Sequence, residues 1–449
     1  MTIQIKYSPD KAGRLIPAEL PLSKSIALRV MTLNALSRLA GGGEAHIPQL
    51  PDSEDVAGME RAIKCISEAA RQQEVYIGEG GAPLRFFTAL AASFPGMDIT
   101  LLAGESLMRR PLKPLLDALH DAGAKIRCRK KKGFPPLHIE GRELEADRIT
   151  MTPAISSQFV SALMMAAPLW RTGLRLDFGG VKPVSTPYIL MTARIMSRFG
   201  IASGIGQDSV TVEPCQVKAP REFEIEPDWS AASYFYELAL LLPGTPIPLL
   251  RLTPPERSLQ GDSRCAEIFS GLGVSTDINP DGSATLLCDG NILKKAVDSR
   301  TRMELDMCDT PDLVPALAVG FCMAGVRFRF TGIGHLRHKE TDRMLALETE
   351  LGKAGYDIVT GPDFMEWNGL RSPVGNDYTI DTYSDHRMAM AFAPAAAKRK
   401  YISIHAPEVV DKSFPTYWKV LEGLGFETSR PETPSHKEDY NPTDSDTLC

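Results

Sequence analysis

The chain has little of what would mark it for a membrane, an export route or a nucleic acid. Aromatic residues make up 7% of its 449 positions, and Lys plus Arg (50) fall short of Asp plus Glu (56). A net charge of −6 excludes a general nucleic-acid binder, which carries a basic excess. No apolar run approaches the length of a bilayer span. The opening MTIQIKYSPDKAGRLIP has no apolar signal core and its cations are spread out, so neither a secretory nor a transit peptide is read there. Cys65, Cys128, Cys215, Cys265, Cys288, Cys308, Cys322 and Cys449 are scattered, without a CxxC pair or a Cys/His cluster. That excludes a disulfide frame or a zinc site and suits reduced intracellular thiols. A cytoplasmic protein is expected, with no membrane or nucleic-acid partner, acting as a monomer.

With 43% of its residues hydrophobic, the chain can bury a substantial core, and its length suggests two or three domains. One pattern recurs: a helix-patterned segment, a glycine, then a short strand. It is present in "LLDALHDAGAKI" (115–126), "IMSRFGI" (195–201), "IFSGLGV" (268–274), "LETELGKAGYDI" (347–358) and "VLEGLGFET" (420–428). The glycine suits a left-handed residue just past a helix C-terminus. The spacing, roughly 70–80 residues, fits a repeated α/β unit rather than a solenoid. Segment 59–77, "MERAIKCISEAARQQEVYI", is read as a sixth copy without the glycine. From Ser429 onward the chain is polar and proline-bearing, and a disordered tail is expected over 429–449.

Cations gather where helices begin. "LPLSKSIALRVMTLNALS" (20–37) is a helix start with Ser23 or Ser25 as N-cap and Lys24 at its mouth. Arg29, four positions after Ser25, returns to the same face. The spaced glycines of a P-loop are missing before this Lys-Ser pair. "GEGGAPLRFFTAL" (78–90) is a Gly-rich turn into a helix carrying Arg85, and it lacks the GxGxxG spacing of a dinucleotide fold. In "SLMRRPLKPLLDAL" (106–119) Arg110 directly precedes Pro111, a favoured first helical residue. "ISSQFVSALMMAAP" (155–168) sets Ser156, Ser157 and Gln158 ahead of an apolar helix, a donor set that suits a phosphate or serves simple capping.

The second half repeats the theme. Asp312 follows Pro311 at the mouth of an apolar helix, where a carboxylate is either a cap or a base. Asp385 is read as a cap with His386 and Arg387 in the first turn behind it, and Lys412 in "VVDKSFPTYW" is read the same way. "HLRHKETDRM" (335–344) threads Glu340 and Asp342 between Arg337, Lys339 and Arg343. Cations in a helix's first turn oppose its dipole, and several such mouths ask for an anionic ligand. Two cations about 5 Å apart at an effective dielectric of 20 repel by ~3 kcal/mol, so the cluster is expected to push apart without ligand and close on a polyanion.

Taken in order, these stretches resemble the 5-enolpyruvylshikimate-3-phosphate synthase family (3-phosphoshikimate 1-carboxyvinyltransferase). The likeness runs from about Leu20 to Phe426, carried by "SKSIALR", "RRPL", "ISSQF", "STPY" (185–188), "EPDWSAASYF" (226–235), "LQGD" (259–262), "TPD", "KETDR", "SDHRMAMAF" and "DKSFP". The resemblance implies an α/β fold of two similar domains, each of three βαβαββ units arranged as an inside-out α/β barrel, with the active site in the cleft between them. It implies an N-terminal domain over 21–227 and a C-terminal one from 1–20 with 228–428, the chain crossing near Pro21 and Asp228. The implied reaction moves the enolpyruvyl group of phosphoenolpyruvate onto the 5-hydroxyl of shikimate 3-phosphate and releases phosphate, with no metal or organic cofactor.

By matched position, the resemblance gives shikimate 3-phosphate to Lys24, Ser25, Arg29, Ser156, Ser157, Ser185, Tyr188, Asp312, His335 and Lys339. It gives phosphoenolpyruvate to Lys24, Gly81, Arg110, Glu340, Arg343, His386, Arg387 and Lys412, with Gln158 between the two. Asp312 is the candidate base for the 5-hydroxyl and Glu340 the candidate acid for the methylene carbon, with Lys24 and Lys412 sharing proton transfer and stabilising the departing phosphate.

The sequence departs from the family pattern at Leu22, Ala27, Leu28, Glu79, Ala82, Phe86 and His335. Glu79 is expected to weaken phosphoenolpyruvate binding unless it points away or pairs with a cation. Two other readings are carried forward. A sister transferase acting on UDP-N-acetylglucosamine normally has a reactive cysteine in the loop matching 104–112, where this chain has none. A non-catalytic relative would bind anions only.

Overall fold

The computed structural model describes residues 1–10, 15–67, 71–105, 107–146, 148–152, 156–373 and 379–430. The fold is mixed α/β. The glycine-punctuated segments form as their sequence predicts: Gly123, Gly200, Gly273, Gly355 and Gly425 all sit at φ between 76 and 92°. A residue without a Cβ makes this left-handed turn without steric cost, so the chain leaves the helix straight into a strand. The strands that follow, Lys125–Cys128, Ser203–Ile205, Val274–Ile278, Tyr356–Thr360 and Phe426–Ser429, each occupy an edge of their sheet.

Five sheets are present among the described residues. In Arg71–Tyr76, Asp98–Leu102, Leu137–Glu140 and Lys125–Cys128, taken across the sheet, the first pair is parallel and the other two are antiparallel. The same order recurs in the sheets containing Leu174–Asp177 and Phe328–Thr331. Parallel pairs need a crossover, which the intervening helices supply. A fourth sheet repeats the order with a substitution: Thr2–Tyr7, from the start of the chain, lies antiparallel between Ile402–His405 and Phe426–Ser429. The fifth sheet has three strands, ordered Ile247–Leu249, Ala284–Cys288, Val274–Ile278, with Ala18 bridging Leu249 in parallel alongside.

Two expectations change. Segment 59–77 is no sixth copy. Its helix Glu54–Ser67 leads to Arg71–Tyr76, which pairs in parallel with Asp98–Leu102 instead of taking the antiparallel edge. It lacks the glycine that the tight reversal requires. Around the helices Lys24–Leu39 and Glu54–Ser67 there are only isolated bridges, Leu22–Pro227 and His46–Glu222, in place of a sixth sheet among the described residues. The predicted tail begins too early, because Ser429 still pairs with Gln4; residues 431–449 lie outside the described residues.

The apolar side chains collect into two separate cores. One gathers residues between Ile26 and Ile225; the other joins Ile3, Ile5, Ala18 and Leu20 to residues from Trp229 to Phe426. We call the chain around each core a lobe. The chain passes between them twice, side by side: Ser23 N donates to Glu226 O at 2.8 Å and Asp228 N to Pro21 O at 2.8 Å. No described helix is long and apolar enough to cross a membrane, and the described cysteines are free.

The helix Trp229–Leu241 is buried along its whole length in the second core, as expected of a helix apolar all round. It carries one carboxylate inward. Glu237 is fully buried, both carboxylate oxygens lack a partner, and its Cγ lies where a Cβ on Gly320 would come within 2.9 Å. Burial pushes this carboxyl well above its ordinary range, so the folded chain holds it neutral. The folded form then keeps a proton that the unfolded form loses, so this group's contribution to stability is full at low pH and falls as pH rises past the ordinary Glu range. Glu237→Gln is therefore expected to be more stable than the parent at pH 8, by more than ~1 kcal/mol, with the difference shrinking toward pH 4. Thermal unfolding at both pH values checks this; equal midpoints at pH 8 would show that the carboxyl carries no such cost.

Candidate active site

Most of the residues singled out by sequence surround one cavity of about 140 Å³ between the lobes. Ser25, Arg29, Arg110, Ser156, Ser157, Gln158, Ser185 and Tyr188 line it from the first lobe, and Asp312, His335 and Lys339 from the second. Lys24, Gly81, Glu340, Arg343, His386, Arg387 and Lys412 are not in its lining, although several of them share the helix-start placement of Ser157. Lys24, Gly81, Ser157, Arg343 and His386 are each the first residue of a helix. Ser185 is the N-cap of Thr186–Arg198, and Asp312 sits in the short 3-10 turn Pro311–Leu313 that leads into Val314–Ala324. Ser23 is the N-cap position of the first helix, but its hydroxyl makes no cap hydrogen bond. Asp385 caps His386–Phe392 by accepting from Arg387 N at 2.9 Å.

Carboxylates stand between most of the cations, although Arg85 and Arg110 converge beside Gly81. Arg343, 1% exposed, donates to three carboxylates: Asp385 Oδ2 at 2.6 Å, Glu340 Oε2 at 2.7 Å and Asp312 Oδ1 at 2.9 Å. Asp312 also takes Arg387 Nη2 at 2.9 Å, with Lys339 Nζ at 3.8 Å, and Glu340 faces Arg110 Nη1 at 3.6 Å across the lobes. Lys24 pairs with Asp55 at 2.9 Å. The expected mutual repulsion is thus offset for Lys24, Arg110, Lys339, Arg343 and Arg387, each of which faces a carboxylate, while Arg29, Arg85 and Lys412 bond neutral acceptors. A buried ion pair stays favourable only while both partners remain.

These contacts set the protonation states. Burial alone would raise the Asp312 carboxyl, but Arg387, Lys339 and Arg343 hold it well below the usual carboxylate range, with Tyr188 donating from 3.0 Å. Glu340 is likewise raised by burial and pulled well below by Arg343 and Arg110. His335 is pushed down to about 4 by burial and by Lys339, so it is a neutral imidazole at pH 7; its Nε2 is buried without a partner. His386 is held neutral by burial and by Lys24. Burial also lowers Lys339, and Asp312 opposes that shift.

Arg29 is anchored rather than loose. It donates to Thr192 Oγ1 at 2.7 Å, to Ser25 O at 2.7 Å and to Ser161 Oγ at 3.2 Å, and its guanidinium lies 5.2 Å from the Phe86 ring centroid and 5.9 Å from that of Tyr188. The departure at Phe86 therefore seats a cation. Glu79 does not line the cavity; its carboxylate lies against Gly104, where a Cβ would come within 1.8 Å. It points away. Lys412 differs from its sequence reading. It ends the 3-10 helix Pro407–Lys412 instead of opening a helix, and its Nζ donates to Ser384 O at 2.9 Å, next to Asp385. The cap role offered for Asp312 is also set aside, since its oxygens are taken by side chains of the opposite lobe and of its own.

Several groups escaped the sequence reading. Arg85 bonds Gln158 Oε1 and stacks 4.9 Å from the Phe159 centroid; a Cβ at Gly81 would come within 2.8 Å of its Nη1 and 3.2 Å of Arg110 Nη1. Asp262, in "LQGD", is buried, accepts from Ser230 Oγ and lies 3.5 Å from the Tyr188 hydroxyl; burial and the neighbouring Asp312 push it up to about 7. His338 joins the cavity wall. Arg85, Asp262 and His338 all lie in stretches quoted above, but none was assigned to the site, and nothing in the spacing of Asp262 pointed to Asp312.

The family model for EPSP synthase (3-phosphoshikimate 1-carboxyvinyltransferase) matches residues 17–421. The chain belongs to this family. The 3-phosphoshikimate 1-carboxyvinyltransferase of Bacteroides fragilis is 41% identical over 410 residues, covering 91% of this chain and 95% of that protein. The enzyme of the same name from Bordetella avium is 33% identical over 436 residues, again covering 91% and 95%. The EPSP synthase structure from Acinetobacter baumannii superposes with a TM-score of 0.71 at 20% identity, covering 96% of this chain and 100% of that one, a likeness of fold.

The shared carboxylate at Asp312 yields a sign for acid stability. A carboxyl held below its unfolded range contributes stability above about pH 4, lost as pH falls through its folded value. Asp312→Asn is expected to cost ~3–5 kcal/mol at pH 7, because it leaves Arg343, Arg387 and Lys339 short of a counter-charge, and the gap from the parent should narrow below pH 4. Denaturant unfolding at pH 7 and pH 3 measures both; a gap that widens on acidification would reverse the assignment.

Proposed function

We propose that this protein transfers the enolpyruvyl group of phosphoenolpyruvate to the 5-hydroxyl of shikimate 3-phosphate, releasing phosphate, as the names of its relatives indicate for them. The observation that carries the mechanism is the sharing of Arg343 by Asp312 and Glu340. We read the two lobes as the domains 21–227 and 1–20 with 228–428, in the inside-out barrel arrangement of the family. Ser25, Arg29, Ser156, Ser157, Ser185, Tyr188, His335 and Lys339 would receive shikimate 3-phosphate. Lys24, Gly81, Arg110, Arg343, His386, Arg387 and Lys412 would receive phosphoenolpyruvate, with Gln158 between. Arginine forks suit both carboxylate and phosphate.

Addition of the 5-oxygen across the double bond needs one proton removed from the hydroxyl and one delivered to the methylene carbon; departure of phosphate then returns a proton from that carbon. In the ligand-free site Asp312 is too weak a base and Glu340 too fully ionised for these tasks. Incoming phosphate and carboxylate oxygens compete for Arg110, Arg343, Arg387 and Lys339. As those cations turn to the ligands, burial regains control of both carboxyls and raises them. Asp312 then becomes able to take the hydroxyl proton and Glu340 able to carry one. Lys24 and Lys412 would stabilise the leaving phosphate.

Phosphate release with each acceptor tests the reading. Turnover is expected with shikimate 3-phosphate and none with UDP-N-acetylglucosamine; release with the nucleotide sugar alone points to the sister transferase, and release with neither to an anion-binding relative. Asp312→Asn and Glu340→Gln should each lower kcat by ~10²–10⁴-fold. The acid limb of kcat is expected at higher pH than that of kcat/KM, since the first reports the loaded site and the second the free one. Coincident limbs would contradict the proposed exchange of partners.

A further inference from the structure

The helix Thr186–Arg198 opens on a serine, yet Ser185 makes no cap hydrogen bond with its side chain. Its backbone lies in the left-handed region at φ 56° and ψ 39°, a conformation that persists in a serine only where surrounding contacts impose it. The side chain is buried against the cavity instead. The acceptor that the helix start needs comes from the other lobe. Asp309 Oδ1 accepts from Thr186 N at 3.2 Å, and Asp309 Oδ2 accepts from Lys182 Nζ at 2.8 Å. Beside it, Ser185 N donates to Cys308 O at 3.1 Å.

Three residues at this helix mouth are thus held by two consecutive residues of the opposite lobe. A helix N-terminus favours an oxygen acceptor, above all a charged one, and the N-cap side chain usually supplies it. Here that role is met across the cleft. Asp312 follows on the same loop, three positions on, with its carboxylate against Tyr188 of the same helix.

We infer that Asp309 is a positioning residue: it caps the Thr186–Arg198 helix from the opposite lobe, leaves the Ser185 hydroxyl for the ligand's phosphate, and thereby ties phosphate recognition in one lobe to the placement of Asp312 in the other. This rests on the reading of the cavity as the shikimate 3-phosphate site. The Lys182 side chain is 59% exposed, and exposed ion pairs contribute little, so the cap rather than the charge pair is the working contact.

The test compares Asp309→Ala, Asp309→Asn, Asp309→Glu and Lys182→Met in the full chain. Calorimetric titration gives shikimate 3-phosphate binding, and steady-state rates give KM for both substrates. Losing the cap should weaken shikimate 3-phosphate about fivefold to tenfold in Asp309→Ala, with KM for phosphoenolpyruvate changed by less than about twofold. Asp309→Asn, which keeps an acceptor oxygen, and Lys182→Met, which keeps the carboxylate, should stay within about threefold of the parent. Should Asp309→Ala not fold, Asp309→Glu takes its place, since the longer side chain keeps the charge and misplaces the oxygen. Parent-like binding in whichever of these two folds overturns the inference, as does an equal rise in both KM values. A parent protein that neither binds nor turns over shikimate 3-phosphate sinks the cavity reading itself, whereas parent turnover with unaltered variant binding sinks this inference alone.

Discussion

Arg343 is the group on which the site depends. Its side chain is almost wholly out of water and bonds Asp312, Glu340 and Asp385, so one guanidinium neutralises parts of three carboxylates from three segments. Each carboxylate would be costly in that environment alone, and so would the arginine. Together they hold the 3-10 turn Pro311–Leu313, the helix Arg343–Lys353 and the helix His386–Phe392 in one arrangement. Arg387 and Lys339 then add to Asp312, and Arg110 reaches Glu340 from the other lobe. The second-lobe wall of the cavity is therefore charge-matched before any ligand arrives, while Arg29 and Arg85 of the first lobe hold neutral acceptors.

That matching alters how an anionic ligand would act. A cluster of bare cations would simply attract it. A cluster already matched by carboxylates must exchange partners, and each exchange leaves a carboxyl more dependent on burial for its protonation state. Binding and acid–base chemistry become one event in this arrangement. The same residues that would grip substrate oxygens are those that keep Asp312 and Glu340 ionised in their absence.

Much of this was legible in the sequence, for local reasons. A glycine between an amphipathic run and a short apolar one specifies a left-handed turn without help from the rest of the chain, and Gly123, Gly200, Gly273, Gly355 and Gly425 all comply. Helix starts at Lys24, Ser157 and His386 could be read from hydroxyl, carboxylate and cation placed just ahead of apolar runs. What could not be read depends on contacts between distant segments. Asp55 is one acidic residue among several until folding brings it to Lys24. Asp262 and Asp312 are fifty residues apart in sequence and meet only through the Tyr188 hydroxyl. The expectation of mutual repulsion left out this matching: charge counts along a chain do not show which carboxylate a cation will face. Lys412, read by analogy with the other cations as opening a helix, instead ends the 3-10 turn Pro407–Lys412, and the next helix starts only at Tyr417.

The central claim is that Asp312 occupies cations which a phosphorylated ligand must win. The most direct measurement is the affinity of the folded protein for inorganic phosphate, by calorimetry at fixed ionic strength, in the parent and in Asp312→Asn. Freed of their counter-charge, Arg343, Arg387 and Lys339 should bind phosphate several-fold more tightly in the variant, with a steeper dependence on salt. Equal or weaker phosphate binding in Asp312→Asn would contradict the account.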